Sequence, residues 1–151
     1  MTILLSVLIS CSLFVAGDAV PPKVKDAFSR QYMDVPTAAV TWGVEEEDFV
    51  ATFLDARDRL AKAFFSAEGE WEETHTRLFP SQLPRPVRLY YEANHEDKDV
   101  SFIGSVQYAD GSESYRIEWE TYEAVHIEEI SPEGGVLESK RLSFTEGLDI
   151  W

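Results

Sequence analysis

The sequence predicts an α+β fold. The expected arrangement is two tandem copies of a helix followed by a four-stranded antiparallel meander, with the helices on one face of the sheet and the other face open. Three observations carry this expectation. The chain echoes itself: Val20-Pro21-Pro22-Lys23-Val24 returns as Leu83-Pro84-Arg85-Pro86-Val87, and Phe28 and Tyr32 return as Tyr91 and His95 at the same offset. Each copy opens with apolar residues four apart, the mark of one helix face. After each helix the apolar period falls to two, the mark of strands.

The elements follow in order. Helices are predicted over residues 21–33 and 84–95, where proline suits the first turn because its missing N–H has no intrahelical partner to lose. Val24, Phe28 and Tyr32 form one stripe, and Val87, Tyr91 and His95 the other. Asp34-Val35-Pro36 ends the first helix, since the residue before proline avoids the helical region. Strands of the first copy are expected over 38–44, 49–54, 59–66 and 70–77. In the second copy Val100, Phe102, Val106 and Tyr108 alternate with polar residues. Asp110-Gly111 marks a tight turn. Tyr115, Ile117 and Trp119 alternate with Arg116, Glu118 and Glu120, and Val125 and Ile127 with His126 and Glu128. Glu133-Gly134-Gly135 turns the chain into a last strand over 136–144.

The N-terminus differs in kind. Residues 1–17 carry no charged side chain, and residues 3–16 (ILLSVLISCSLFVA) are almost wholly apolar. That run is short for a membrane span and fits the apolar region of a secretory signal. Small residues at 15–19 supply cleavage sites, so residues 1–19 read as a signal peptide. No Lys or Arg precedes the run. Cys11 is the only cysteine, and Leu8-Ile9-Ser10-Cys11 also resembles a lipoprotein processing box. Ordinary cleavage is preferred over a lipid anchor at Cys11, because the residues after it remain apolar. The protein is then periplasmic or extracellular, and its mature chain has no thiol for disulfides, zinc or nucleophilic catalysis. Residues 20–144 form the domain, as repeats 20–80 and 83–144, and 145–151 are a tail ending in Trp151.

Charge narrows the partners. The chain has 28 acidic against 13 basic residues, a formal net charge of -15. Such a surface repels phosphate backbones, so nucleic acid is disfavoured and a basic protein or peptide favoured.

The Pro-x-x-Val-x-x-x-Phe helix start (Pro21, Val24, Phe28), Val40-Thr41-Trp42, Phe49-Val50-Ala51-Thr52-Phe53, Glu68-Gly69-Glu70-Trp71 and Leu83-Pro84 together resemble the PepSY-like domain family, also described as beta-lactamase-inhibitor-like. The resemblance covers about residues 20–144. It implies an exported bacterial protein without known catalytic residues, and an inhibitory role only by analogy of fold.

Catalytic patterns are scarce. His126-Ile127-Glu128 has deaminase spacing but lacks the two downstream cysteines. No pair of histidines has zincin spacing, and no nucleophile elbow or phosphate-cradling glycine loop occurs. No enzyme, cofactor or metal is called for. Glu45-Glu46-Glu47-Asp48 and the group Glu92, Glu96, Asp97 and Asp99 read as solvated turns, without the central glycine of a calcium loop.

By alternation Tyr115, Ile117 and Trp119 take the covered face, leaving Arg116, Glu118 and Glu120 on the open one. Ile103, His126 and Glu128 are assigned to the same open side. These six residues are the candidate binding surface, and charge reversal at Glu118 and Glu128 is expected to spare the fold. The function expected is non-catalytic binding of a protein or peptide, with inhibition as one outcome. The alternative is sensing or buffering of a small ligand or divalent cation through the acidic clusters.

Overall fold

The structure, a computed structural model, describes residues 13–144. Most of the predicted signal segment, Cys11 and the predicted tail lie outside the described residues. Among the described residues the strands form a single nine-stranded antiparallel sheet ordered β1 to β9 along the chain, with two short α-helices. This corrects the expected fold of two tandem helix-plus-four-strand units. The strands belong to one sheet, and that sheet begins with a strand, β1 (Leu13–Phe14), that the repeat did not contain. The described residues divide into two compact units after Glu73.

In the first unit α1 (Pro22–Gln31) starts with Pro21 as its cap and Pro22 in its first turn. It buries Val24, Ala27 and Phe28, spaced three and four apart. They pack against β2 (Thr41–Glu45), β3 (Asp48–Leu54) and β4 (Leu60–Phe65) through Trp42, Ala51, Phe53, Ala61, Ala63 and Phe65. Phe28 is the hub. Its ring meets Phe53 edge-on at 5.1 Å and Trp42 at 5.7 Å, the geometry that aromatic quadrupoles favour. The register Gly43↔Val50↔Phe64 turns Val50 and Phe64 to the other face, where both are also buried.

In the second unit, after β5 (Trp71–Arg77) crosses the division, α2 (Arg85–Asn94) buries Val87 and rests Tyr90 and Tyr91 on its strands. These are β6 (Asp99–Tyr108), β7 (Glu113–Glu120), β8 (Ala124–Ile130) and β9 (Val136–Ser143). The core beneath α2 comprises Ile103, Tyr115, Ile117, Trp119 and Ile130 with Leu78 and Leu83. Here too the face away from the helix is only partly open. Val106, Ile127, Arg116 and Glu129 are buried on it. Strands apolar on both faces, such as β3 and β4, give alternation no single inside to report.

One device recurs at both helix starts. Gly69, at φ +86°, lies so close to α1 that a Cβ there would sit 2.8 Å from the Lys23 carbonyl oxygen. Gly134, at φ +88°, stands likewise 2.9 Å from the Pro86 carbonyl oxygen. Glycine alone meets both the backbone conformation and the close approach.

Candidate functional site

The face of the second unit away from α2 is shaped by a register shift in β6. Pairing with β7 slips between Val100 and Phe102, so Val100 packs into the helix-side core while Phe102 stands opposite Glu118 on the other face. A bulge adds one residue and reverses every later side chain. Phe102 lies across Gly104: a Cβ on that glycine would be 2.5 Å from Phe102 Cζ and 2.3 Å from the Thr76 carbonyl oxygen. Arg77 closes over the ring, its guanidinium 5.7 Å from the centroid, and Nη2 donates to the Ser101 carbonyl at 3.2 Å. Arg77 is exposed and Phe102 half-buried. The result is an aromatic plate with a cation on it, beside the carboxylate of Glu118.

Beside the plate lies a buried ionic floor. Arg116 is 2% exposed and sits opposite Glu129, which is 3% exposed. Glu129 accepts hydrogen bonds from the Tyr108 and Ser114 hydroxyls. Arg116 Nη1 is 3.9 Å from Glu118 Oε1, whereas Nε and Nη2 have no hydrogen-bond partner among the described residues. A guanidinium so desolvated holds its position only against nearby negative charge.

The six predicted site residues therefore separate. Arg116, Glu118 and Glu120 share the face away from α2, with Arg116 buried, Glu118 half-buried and Glu120 exposed. Ile103, His126 and Glu128 lie on the helix side, opposite Ile117, Trp119 and Ile117 respectively. The correction has two causes. The bulge moves Ile103 inward, and β8 carries its polar residues toward α2 because polar partners await them there. Tyr90 Oη donates to Glu128 Oε2 at 2.7 Å, and His95 Nε2 lies 2.8 Å from the same oxygen. Lys98 Nζ is 3.3 Å from His95 Nδ1 and 4.1 Å from the centre of the Trp119 ring. His126 also stacks on Trp119, at 5.0 Å with 6° between the planes. Burial holds the His95 pKa below its ordinary value and the Lys98 charge adds to this, against the pull of Glu128 and Asp97. Neutral His95 donates through Nε2 and accepts from Lys98 at Nδ1, so the cluster closes with one anion and one cation. Burial, the hydrogen bond to Glu128 and its charge all raise the Tyr90 pKa. This cluster clamps the end of α2 to β8.

Phe102, Arg77 and Gly104 were missed by the sequence reading. The available signal was Gly104 itself, since a glycine inside a strand marks a bulge or a close approach.

In the first unit the acidic turn is a tight hairpin. Glu45 pairs with Asp48, and Glu46 adopts φ +54°. Glu45 is buried and bound to Lys62 at 3.0 Å. Asp48 hydrogen-bonds Glu72. Burial, the charge of Asp48 and that hydrogen bond push Glu72 up to about 7. Among the described residues no three His, Cys, Asp or Glu side chains gather where they could hold a metal ion.

This architecture is that of a BLIP-like fold. A BLIP-like protein from Bacteroides fragilis matches with a TM-score of 0.68 at 21% identity, over 82% of this chain and 86% of its own. A DUF2874 family protein from Bacteroides ovatus matches at 0.71 and 19%, over 83% and 89%. A protein from Bacteroides eggerthii, inferred to be periplasmic, matches at 0.70 and 20%, over 82% and 90%. At such identities the likeness shows the fold alone. No family model and no curated protein matches the sequence.

Proposed function

We propose that this chain is an exported, non-catalytic module of the PepSY-like, beta-lactamase-inhibitor-like kind that binds a protein or peptide on the face carrying Phe102 and Arg77. The observation that carries the reading is the Phe102 ring, held flat by Gly104 and capped by an exposed guanidinium. A half-buried aromatic with a rigid seat and a charged rim is the usual anchor of a protein interface. The apolar run at 3–16 and a structural neighbour inferred to be periplasmic support export. The BLIP-like neighbour supports protein binding, and the net charge of -15 favours a basic partner.

The test is crosslinking in the periplasm with the wild-type chain and with Phe102→Ala and Arg77→Ala, each checked for an unchanged melting temperature. Recovery of a defined partner by the wild type and its loss in both variants is expected. Equal recovery by all three removes this face from consideration. The inhibitory version is tested separately, by adding the protein in excess to a panel of serine β-lactamases and following β-lactam hydrolysis.

A further inference from the structure

We infer that the outer edge of β2 is an acceptor for an extended strand from a partner protein, one that carries an aromatic residue opposite Gly43. The inference rests on the binding reading above but uses a different surface in the first unit.

The observation is what occupies this edge. Leu13 and Phe14 lie antiparallel to β2, in register with Val44 and Gly43, and the Val15 amide donates to the Trp42 carbonyl at 3.2 Å. Leu13 is 69% exposed and Phe14 81%. Backbone pairing therefore holds these two residues, with Val15 alone packed against the core. Phe14 stands over a cavity of about 380 Å³ whose other walls are Thr41, Trp42, Gly43, Val50, Thr52 and Lys62. Gly43 contributes no side chain, so the space in front of it is open to an incoming ring.

Residues 13–15 belong to the apolar run read as a signal, and cleavage at the end of the predicted signal, residues 1–19, removes them. Cleavage takes the strand away and leaves the β2 edge with free backbone groups beside the surface of Thr41, Gly43, Val50, Thr52 and Lys62. An unpaired edge of this kind pairs readily with another strand. The leader shows what fits: an extended segment with a ring at the Gly43 position and aliphatic neighbours. A second copy of β2 does not fit as well. Its residues on the cavity side would be Thr41, Gly43 and Glu45, which bring no ring and place carboxylates against this chain.

The experiment uses the processed protein recovered after export, with its N-terminus fixed by mass. The probe is a capped peptide of residues 12–17 (Ser-Leu-Phe-Val-Ala-Gly), titrated by calorimetry. Saturable one-to-one binding is expected. A Phe14→Ala peptide loses the ring and an N-methyl-Val15 peptide loses the donor to Trp42, and each should bind about tenfold more weakly or worse. Neither control alters the protein, so misfolding cannot produce the result. The inference is overturned by absent binding, by equal binding of the three peptides, by a concentration-dependent dimer that excludes the peptide, or by a mature chain that begins before Leu13 and keeps its own strand. A chain that captures its partner through Phe102 yet ignores the peptide keeps the face reading and loses this one.

Discussion

Asp48 and Glu72 are two carboxyls that the fold holds within hydrogen-bonding distance, and the pKa of both is raised, burial being the first cause. An acid whose pKa is raised on folding binds more protons folded than unfolded, so stability falls as pH rises. For Glu72 the effect is fully present below about 4.5 and gone above about 7. Glu72 is exposed, so solvent screening shrinks it. Glu72→Gln should flatten the urea-midpoint profile across that window, and an unchanged slope would remove the pair from the account. Gly104 is a steric matter: Gly104→Ala drives a methyl against the Thr76 carbonyl and the Phe102 ring, and should destabilise by about 1–3 kcal/mol in urea titration. Glu128 shows how far one face assignment matters. Placed on an open face, its reversal to lysine would be harmless. Placed between Tyr90 and His95 with Lys98 nearby, Glu128→Lys sets like charges together and strips two hydrogen bonds. It should destabilise by about 2–4 kcal/mol, whereas Glu120→Lys at the exposed strand end should stay within about 0.5 kcal/mol.

At the scale of elements, both helices were legible because two independent signals coincide. Proline at the start and apolar residues at 24, 28, 87 and 91 point to the same turns. The strands were legible from their alternation, but their facing was not. A bulge leaves no mark in hydrophobicity, and the slip between Val100 and Phe102 exchanges the sides of all that follows in β6. The common face assigned to the six residues is corrected by this slip for Ile103, and by pairing opposite Trp119 and Ile117 for His126 and Glu128, while Val106 and Ile127 fill part of the second face. Phe28→Ala removes a ring 1% exposed and should destabilise by about 3–5 kcal/mol, while Tyr91→Ala, only partly buried, should do less. The hairpin between β2 and β3 turns through Glu46 in the left-handed region, where glycine or asparagine is easier. Glu46→Gly should therefore stabilise by about 0.5–1 kcal/mol, read as a rise in the urea midpoint.

For the molecule as a whole, charge was the most directly legible property, since a count of residues gives it. A net charge of -15 makes encounter with a basic partner salt-dependent, so the association rate should fall steeply between low and physiological ionic strength while dissociation changes little. The continuity of the nine strands was not legible, because the internal repeat describes the copies and says nothing of how their strands join. The setting of Trp119 has an optical consequence. The Lys98 ammonium lies 4.1 Å from the centre of its indole, the His126 imidazole stacks on it at 5.0 Å, and His95 lies 4.6 Å away. Lys98 reaches it from the corner that follows α2. Trp42 and Trp71 belong to the other unit. Emission from Trp119 is thus a built-in gauge of the seating of α2: any event that lifts the helix end withdraws the cation from the ring and alters its colour.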